Sequence, residues 1–198
     1  MSPLDPLDIH RCAQALCAGL DLDKPAVLLV SSALPGEGKS LVSDLLARAL
    51  LAQTGREILL LAAGPGQAPA AAVGAIETLM TGGEWRADWC AGTGGPRVCR
   101  LGHGASFGSG QWFRRPAVGR LLAECRQRAG VTLIDGPVLT QCGALVPASD
   151  RVLLVVDARR TPATRVRQAL QQTGLGGPRL AGVYLNRQRE PSAGWMEA

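Results

Sequence analysis

The sequence has few of the residues and patterns that mark membrane or secreted proteins. Only 4% of its 198 residues are aromatic, and no apolar run is long enough to cross a bilayer. The N-terminal stretch "MSPLDPLDIHR" carries acids where a signal peptide carries bases. Apolar residues make up 46% of the chain, enough for a globular core. We therefore expect a cytoplasmic protein, with recruitment to the inner face of a membrane left open.

Cysteine pairs with close spacing are also missing. The six cysteines form no CxxC pair, and a chain of this size without a signal peptide is expected to keep them reduced. Cys90, Cys99 and His103 are the set that could approach a metal ion. Their spacing matches no common zinc pattern, so we do not predict a metal site there.

Lysine is nearly absent, since Lys24 and Lys39 are the only two among 21 basic residues. The net charge is +5, and the arginines are scattered apart from the pairs Arg114–Arg115 and Arg159–Arg160. A scattered pattern is typical of a solvated surface, so we expect no nucleic acid partner. An acidic partner or an anionic membrane surface is compatible with this charge.

Apolar runs alternate with helical patterns along the chain. Because several runs are unbroken Val, Leu and Ile, helices should cover both faces of one sheet. We predict a single doubly wound α/β domain over 1–198 with a mostly parallel sheet, an N-terminal helical segment (1–24) and a flexible tail (188–198). The predicted strands lie at 26–32, 57–63, 96–102, 131–137, 151–158 and 180–187, and the predicted helices at 39–55, 68–80, 116–130 and 161–176.

Two glycine-rich segments, 81–96 and 102–111, lack periodicity and are predicted to be loops. Tryptophan is concentrated in and near these loops and in the tail, where either a partner surface or local packing would account for it. The tryptophans are Trp85, Trp89, Trp112 and Trp195.

A glycine-rich turn places one of the two lysines between a strand and a helix. The stretch "ALPGEGKS", which begins at Ala33, fits the phosphate-binding loop pattern with alanine in place of the first glycine. Gly36 and Gly38 let backbone N–H groups face an anion, and the following helix adds its positive end. Lys39 would contact the β- and γ-phosphates, and Ser40 would bind Mg²⁺. The residues predicted to bind ATP or ADP are Pro35, Gly36, Glu37, Gly38, Lys39, Ser40 and Leu41, with Asn186 and Arg187 from the last strand.

Two further residues extend this predicted site. Asp135 is expected to end the strand "VTLIDGP", as in a Walker B motif, and to reach the Mg²⁺ shell together with Ser40. Lys39 and Asp135 are the candidate catalytic residues. Asn186 ends the last strand at the edge where ligands of open α/β sheets bind, and its amide can pair with an adenine edge. An Asp or Asn that only shapes a turn is the simpler alternative for each.

These motifs, with "GREILLL", "SDRVLLVV" and "AGVYLNR", resemble the bacterial tyrosine kinases of capsule and exopolysaccharide synthesis from about Ile9 to Arg187. The resemblance implies a P-loop fold that binds ATP or ADP with Mg²⁺. It also implies a membrane-associated partner in polysaccharide synthesis, such as a polysaccharide co-polymerase, and it allows a homo-oligomer.

Three departures from the family pattern bear on activity. The second strand of the family ends in Asp-x-Asp, which supplies a Mg²⁺ contact and a base, whereas this chain has Ala62 and Gly64 there. The family's tyrosine-rich tail is replaced by one without tyrosine, and the single tyrosine, Tyr184, is predicted to be core. The oligomer-forming helix keeps Arg11 but no evident partner acid.

We therefore interpret the sequence as a nucleotide-binding pseudokinase that regulates or scaffolds exopolysaccharide synthesis or export. Slow ATP hydrolysis remains compatible with it, and Asp157 is a candidate substitute base, although such an Asp more often begins a turn. One alternative is an active ATPase or protein-tyrosine kinase of the same family that acts in trans. A second alternative is an ATPase of the partitioning or division-site class, although such a protein would carry a lysine where this chain has Leu34. An interaction module that no longer binds nucleotide is the third alternative.

Overall fold

A computed structural model describes residues 6–21, 23–62, 68–90, 97–105 and 107–187. Within this part of the chain, six parallel strands form one sheet in the order β3-β2-β4-β1-β5-β6. The strands are β1 (Ala26–Ser32), β2 (Ile58–Ala62), β3 (Val98–Gly102), β4 (Val131–Val138), β5 (Arg151–Asp157) and β6 (Leu180–Asn186). The helices are α1 (Pro6–Cys17), α2 (Lys39–Thr54), α3 (Ala75–Met80), α4 (Arg115–Arg128), α5 (Leu145–Ala148) and α6 (Ala163–Thr173). The predicted fold class is confirmed.

Helices cover both faces of the sheet, which explains the continuous apolar strands. In β1 all seven residues are buried, and alternate side chains enter opposite halves of the core. Val27 and Leu29 pack with α3, α4, α5 and α6, while Leu28 and Val30 pack with α1 and α2. Tyr184 lies in the second of these halves, in agreement with its prediction as core.

The carboxyl ends of the parallel strands meet at one edge of the sheet. Three pairs of strand ends define this edge: Val30 lies beside Asp135, Asp157 beside Asn186, and Ala62 beside Gly102. The order of strands in the sheet therefore brings the carboxyl ends of β4, β1, β5 and β6 side by side. The strands β2 and β3 lie on the far side of β4 from β1.

Local features change three of the predicted boundaries. The helix predicted over 68–80 is interrupted because Gly74 has φ 81°, so a 3₁₀ turn precedes the short α3. The strand predicted to end at Asp135 continues to Val138, because β1 resumes pairing with it at Ser32 after a register shift. The helix predicted to begin after Thr161 starts at Ala163, and the Thr161 hydroxyl does not cap it.

The two segments predicted to be loops contain short 3₁₀ turns, Ala87–Cys90 and Ser109–Phe113. Their tryptophans pack inward: Trp89 and Trp112 are 4% and 3% exposed, and Trp85 is half-buried against Trp89. Local packing therefore accounts for all three, whereas Trp195 lies outside the described residues. No described helix has the length and apolar character needed to span a bilayer.

A disulfide joins Cys90 to Cys99, so the expectation that all cysteines are reduced is wrong for this pair. The 3₁₀ turn ends beside the start of β3, which brings their Cα atoms to 5.3 Å. Spacing along the chain does not reveal this approach. The bond also removes both sulfurs from the metal set considered with His103, and no cluster of metal-binding side chains occurs among the residues described.

Candidate functional site

The phosphate loop follows β1 and ends where α2 begins at Lys39. Gly36 and Gly38 have φ values of 77° and 86°, the left-handed region that favours glycine. The buried Ser32 hydroxyl donates to the carbonyl of Leu34 at 2.8 Å and holds the start of the loop. The loop therefore has the curled backbone and helix start that suit an anion.

The buried side chain of Glu37 holds the phosphate loop in place through hydrogen bonds. The side chain is 1% exposed, and its carboxylate accepts hydrogen bonds from the backbone N–H of Leu34 at 2.7 Å and of Asp157 at 3.0 Å. The Thr161 hydroxyl donates to the same carboxylate. Sequence reasoning assigned Glu37 to the nucleotide-binding set. Its carboxylate instead joins the loop to the turn that follows β5, so only its backbone is left to face a phosphate.

Asn186 reaches the loop from the end of β6. Its side-chain Nδ2 donates to the carbonyl of Glu37 at 2.8 Å, and the residue is 7% exposed. A β-carbon at Gly38 would collide with this nitrogen, so Gly38 is required both by its φ and by the close approach of the amide. The amide assigned to adenine therefore supports the loop, and its contact with a base stays a prediction.

Asp157, the candidate substitute base, is part of the same buried network. One carboxylate oxygen accepts the backbone N–H of Arg159 at 3.0 Å, and the other accepts from the Arg187 guanidinium at 2.7 Å. Burial opposes ionisation, but these two hydrogen bonds and the positive charges of Arg187 and Arg160 outweigh it and hold the pKa of Asp157 below its ordinary value. A carboxylate that is this acidic and already accepts two hydrogen bonds is a poor base and a good structural anchor.

Asp135 lies at the root of the loop. It is 1% exposed and pairs in register with Val30, two residues before β1 ends. Asp135 is therefore on the strand beside the one that leads into the loop, and the half-buried Lys39 and Ser40 begin α2 at the end of that loop. The three residues that the sequence assigned to phosphate and Mg²⁺ thus lie on adjacent elements of the same sheet edge.

Ser31 and Cys142 are in contact near the end of β1, on the face of the sheet opposite to α2. The Ser31 hydroxyl donates to the carbonyl of Pro137 at 2.7 Å and lies 3.5 Å from the Cys142 sulfur. Burial raises the pKa of Cys142 to about 11, although the hydrogen bond with Ser31 and the positive charge of Lys39 lower it. The thiol is therefore protonated at neutral pH and serves as a packed, non-ionised neighbour of the site.

The β2–β3 side of the same edge carries no acid at the strand ends. Ala62 is fully buried at the end of β2, and Gly102 pairs with it at the end of β3. The nearby carboxylate of Glu77 accepts the backbone N–H of Gly104 at 2.6 Å and so holds the turn after β3. Gly64, the other position of the missing acid pair, lies outside the described residues.

The predicted residues therefore divide into two groups. Lys39 and Ser40 begin α2 and Asp135 lies on the strand beside β1, whereas the side chains of Glu37 and Asn186 hold the loop by hydrogen bonds. Leu41 is 54% exposed on α2, and Pro35 is exposed at the loop tip. Thr161 and Asp157 are supporting residues that sequence reasoning missed or misassigned, because nothing in their spacing indicates contact with Glu37, more than a hundred positions away.

Comparisons with known proteins agree with this geometry. No protein-family model matches the sequence. The chain is 34% identical over 179 residues to the succinoglycan biosynthesis transport protein ExoP of Rhizobium meliloti (strain 1021), an alignment that covers 81% of this chain. It spans only 22% of the length of ExoP.

Solved structures with the same architecture are similar over nearly the whole chain. The kinase domain of VpsO has a TM-score of 0.68 at 28% identity, covering 92% of this chain and 97% of that one. The chimerical protein CapA2B2 has a TM-score of 0.72 at 20% identity, covering 96% and 87%. The second likeness supports the fold alone, while the first adds sequence similarity to a kinase domain.

Proposed function

Since the chain belongs to the bacterial tyrosine kinase family of P-loop proteins, we propose that it binds ATP or ADP with Mg²⁺ and acts as a pseudokinase in exopolysaccharide synthesis. The observation that carries the proposal is the contrast at one sheet edge. The strand that leads into the phosphate loop, with Lys39 and Ser40 at the loop's end, pairs with the strand that carries the buried Asp135, whereas β2 ends in Ala62.

The residues present fit a nucleotide and its metal. The left-handed φ values of Gly36 and Gly38 curl the loop backbone, and the N-terminal end of α2 adds partial positive charge. Lys39 would neutralise phosphate charge, Ser40 would give Mg²⁺ a hydroxyl ligand, and Asp135 would bind its hydration shell. Bound Mg²⁺ would supply charge neutralisation at the terminal phosphates.

The proposal of a pseudokinase depends on the missing base. Transfer to a tyrosine hydroxyl needs a group that accepts its proton, and an alanine methyl group cannot do so. Asp157 does not replace that base, because its carboxylate is occupied by Arg159 and Arg187 and its pKa is lowered. Slow hydrolysis by Lys39, Ser40 and Asp135 remains within the proposal.

The cellular role rests on relatives. ExoP is a succinoglycan biosynthesis transport protein, so we place this chain in exopolysaccharide synthesis or export. Its partner would be a polysaccharide co-polymerase or another membrane-associated synthesis protein, at the inner face of the membrane. A cytoplasmic location and a homo-oligomer belong to the same proposal. In α1, Arg11 contacts Asp8 of its own helix at 3.5 Å, with both side chains exposed.

A calorimetric titration with ATP and ADP, with and without Mg²⁺, tests the nucleotide site. Lys39→Ala should weaken binding about a hundredfold, since a charge-assisted contact to phosphate is lost. Lys24→Ala is the matched control, because the only other lysine is exposed and paired with Asp21 at 2.7 Å. Equal affinities of the two variants would remove Lys39 from the site, and no binding by the wild type would leave only an interaction module.

Incubation with labelled ATP and candidate partner proteins tests the pseudokinase proposal. We expect no phosphotyrosine on this chain or on a partner, and at most slow release of phosphate. Robust Mg²⁺-dependent phosphotyrosine on the partner would favour the active kinase instead. Ala62→Asp sharpens the experiment, because a carboxylate restored at the end of β2 should raise turnover if its loss is the cause.

A further inference from the structure

One arginine beside the phosphate loop, Arg160, acts on the network described above through its charge alone. A β-carbon built on Gly36 would lie 3.8 Å from Nη1 of Arg160, so this guanidinium stands directly against the loop backbone. Arg160 is exposed, and its side chain makes no hydrogen bond or ion pair with any other residue that the structure describes. By contrast, the Arg187 guanidinium donates to the carboxylate of Asp157.

The backbone that carries Arg160 is fixed to the loop. Its N–H donates to the carbonyl of Asp157 at 3.1 Å, and the next residue, Thr161, donates its hydroxyl to Glu37. The Asp157 N–H donates to the same Glu37 carboxylate at 3.0 Å. The turn after β5 and the phosphate loop therefore form one hydrogen-bonded unit, which limits how far the Arg160 guanidinium can move from Gly36.

We propose that Arg160 is a second phosphate-binding cation of the site, supplied by the turn after β5 of the same chain. This inference rests on the proposed nucleotide binding and adds a residue to it. A guanidinium that lies against the loop backbone and forms no ion pair with a carboxylate among the described residues would gain a charge-assisted bond when an anionic phosphate occupies the loop.

The experiment compares four proteins by calorimetry: the wild type, Arg160→Ala, Arg160→Lys and Arg159→Ala. Arg159 is the matched control, since it is the adjacent exposed arginine and its loss changes the net charge equally. Each protein is titrated with Mg²⁺-ATP and with tripolyphosphate, at low and at high salt. Thermal midpoints without ligand verify that the exposed substitutions leave folding unchanged.

We expect Arg160→Ala to weaken both ligands about tenfold at low salt, and less at high salt because mobile ions screen an exposed charge. Arg160→Lys should recover part of the affinity, and Arg159→Ala should stay within about twofold of the wild type. Equal effects of Arg160→Ala and Arg159→Ala would overturn the assignment. So would a loss confined to ATP, because the guanidinium would then contact the nucleoside.

The failure of this inference is distinguishable from the failure of nucleotide binding. If the wild type binds neither ligand, both proposals fall together. If the wild type binds both and Arg160→Ala binds them equally well, only the role of Arg160 is lost.

Discussion

The two halves of the carboxyl edge are held together by different means. Around β1, β5 and β6 the edge is polar and buried. Hydrogen bonds connect the phosphate loop to the ends of β5 and β6, and they involve Glu37, Asp157, Thr161 and Asn186. Around β2 and β3 the strand ends are Ala62 and Gly102, and the carboxylate of Glu77 holds the turn after β3 by accepting the Gly104 N–H. The Cys90–Cys99 disulfide crosslinks this half at the other end of β3, near its start.

The difference indicates which property the chain keeps. A buried polar group that loses its hydrogen-bond partner destabilises the fold, whereas a fully paired network fixes one backbone conformation. We therefore take the network around the phosphate loop as a sign that the shape of the loop matters. The half with the network is the half that would hold phosphate. The half that in the family supplies the catalytic acids ends its strands in Ala62 and Gly102, has a single hydrogen bond from Gly104 to the Glu77 carboxylate beside them, and carries its crosslink near the start of β3.

Glu37→Ala should have the largest effect, since it removes the acceptor of three hydrogen bonds at a residue that is 1% exposed. Two buried backbone N–H groups would lose their partner, and we expect a loss of about 3–4 kcal/mol in the free energy of unfolding. Urea denaturation measures it, with the exposed Glu84→Ala as control. A loss under about 1 kcal/mol would mean that the network does not hold this half.

Gly38→Ala should cost about 3 kcal/mol, because it combines a left-handed φ with a collision against Asn186. Gly55→Ala is the matched control: its φ is 63°, and its β-carbon would meet nothing within 4 Å. That variant should lose only about 1 kcal/mol. Adding Asn186→Ala to Gly38→Ala should recover part of the difference, and a purely additive double mutant would argue against the collision.

Reduction of the Cys90–Cys99 disulfide should destabilise the other half by about 2–3 kcal/mol, as expected for a crosslink that closes a loop of roughly ten residues. Intact mass spectrometry before and after treatment with a dithiol reductant detects the disulfide, and urea denaturation measures how much its reduction lowers the free energy of unfolding. Nucleotide affinity should stay within about twofold, with Cys90→Ser/Cys99→Ser as the genetic equivalent. A large loss of affinity on reduction would show that the two halves are coupled.

The smallest effect concerns pH. Because the pKa of Asp157 is lowered in the folded chain, its ionised form stabilises the fold above the ordinary value of 3.8, and this stabilisation is lost as the pH falls below it. Asp157→Asn should cost about 1–2 kcal/mol at pH 7. The difference in unfolding free energy between wild type and variant should narrow in urea titrations as the pH falls below 3.8. A difference that stays constant below that pH would contradict the lowered pKa.

The sequence predicts the sheet well because unbroken apolar runs and glycine stops are local signals. The phosphate loop was found because "PGEGKS" fits one backbone shape between a strand and a helix. Gly74 divides a helix that the apolar pattern favours, since its φ of 81° lies in the left-handed region that a continuous helix does not contain.

The supporting contacts of the site could not be predicted in the same way. Glu37 was assigned to the ligand because it lies inside the motif, and its carboxylate points to partners 120 and 124 positions away. The Cys90–Cys99 bond depends on a turn whose path has no periodic signal. Long-range polar contacts and crosslinks are decided by the assembled fold, which a single sequence read locally does not contain.

The hydrogen bond from Asn186 to Glu37 joins positions 149 residues apart, which has a consequence for the order of events during synthesis. The phosphate loop is translated early, yet the amide of Asn186 that holds it is translated only with β6, the edge strand that pairs with β5. A ribosome-bound chain that stops before Asn186 would carry the full "PGEGKS" motif in an unsupported loop. Competence to hold a nucleotide would then be acquired late, in a single step, when the last strand docks.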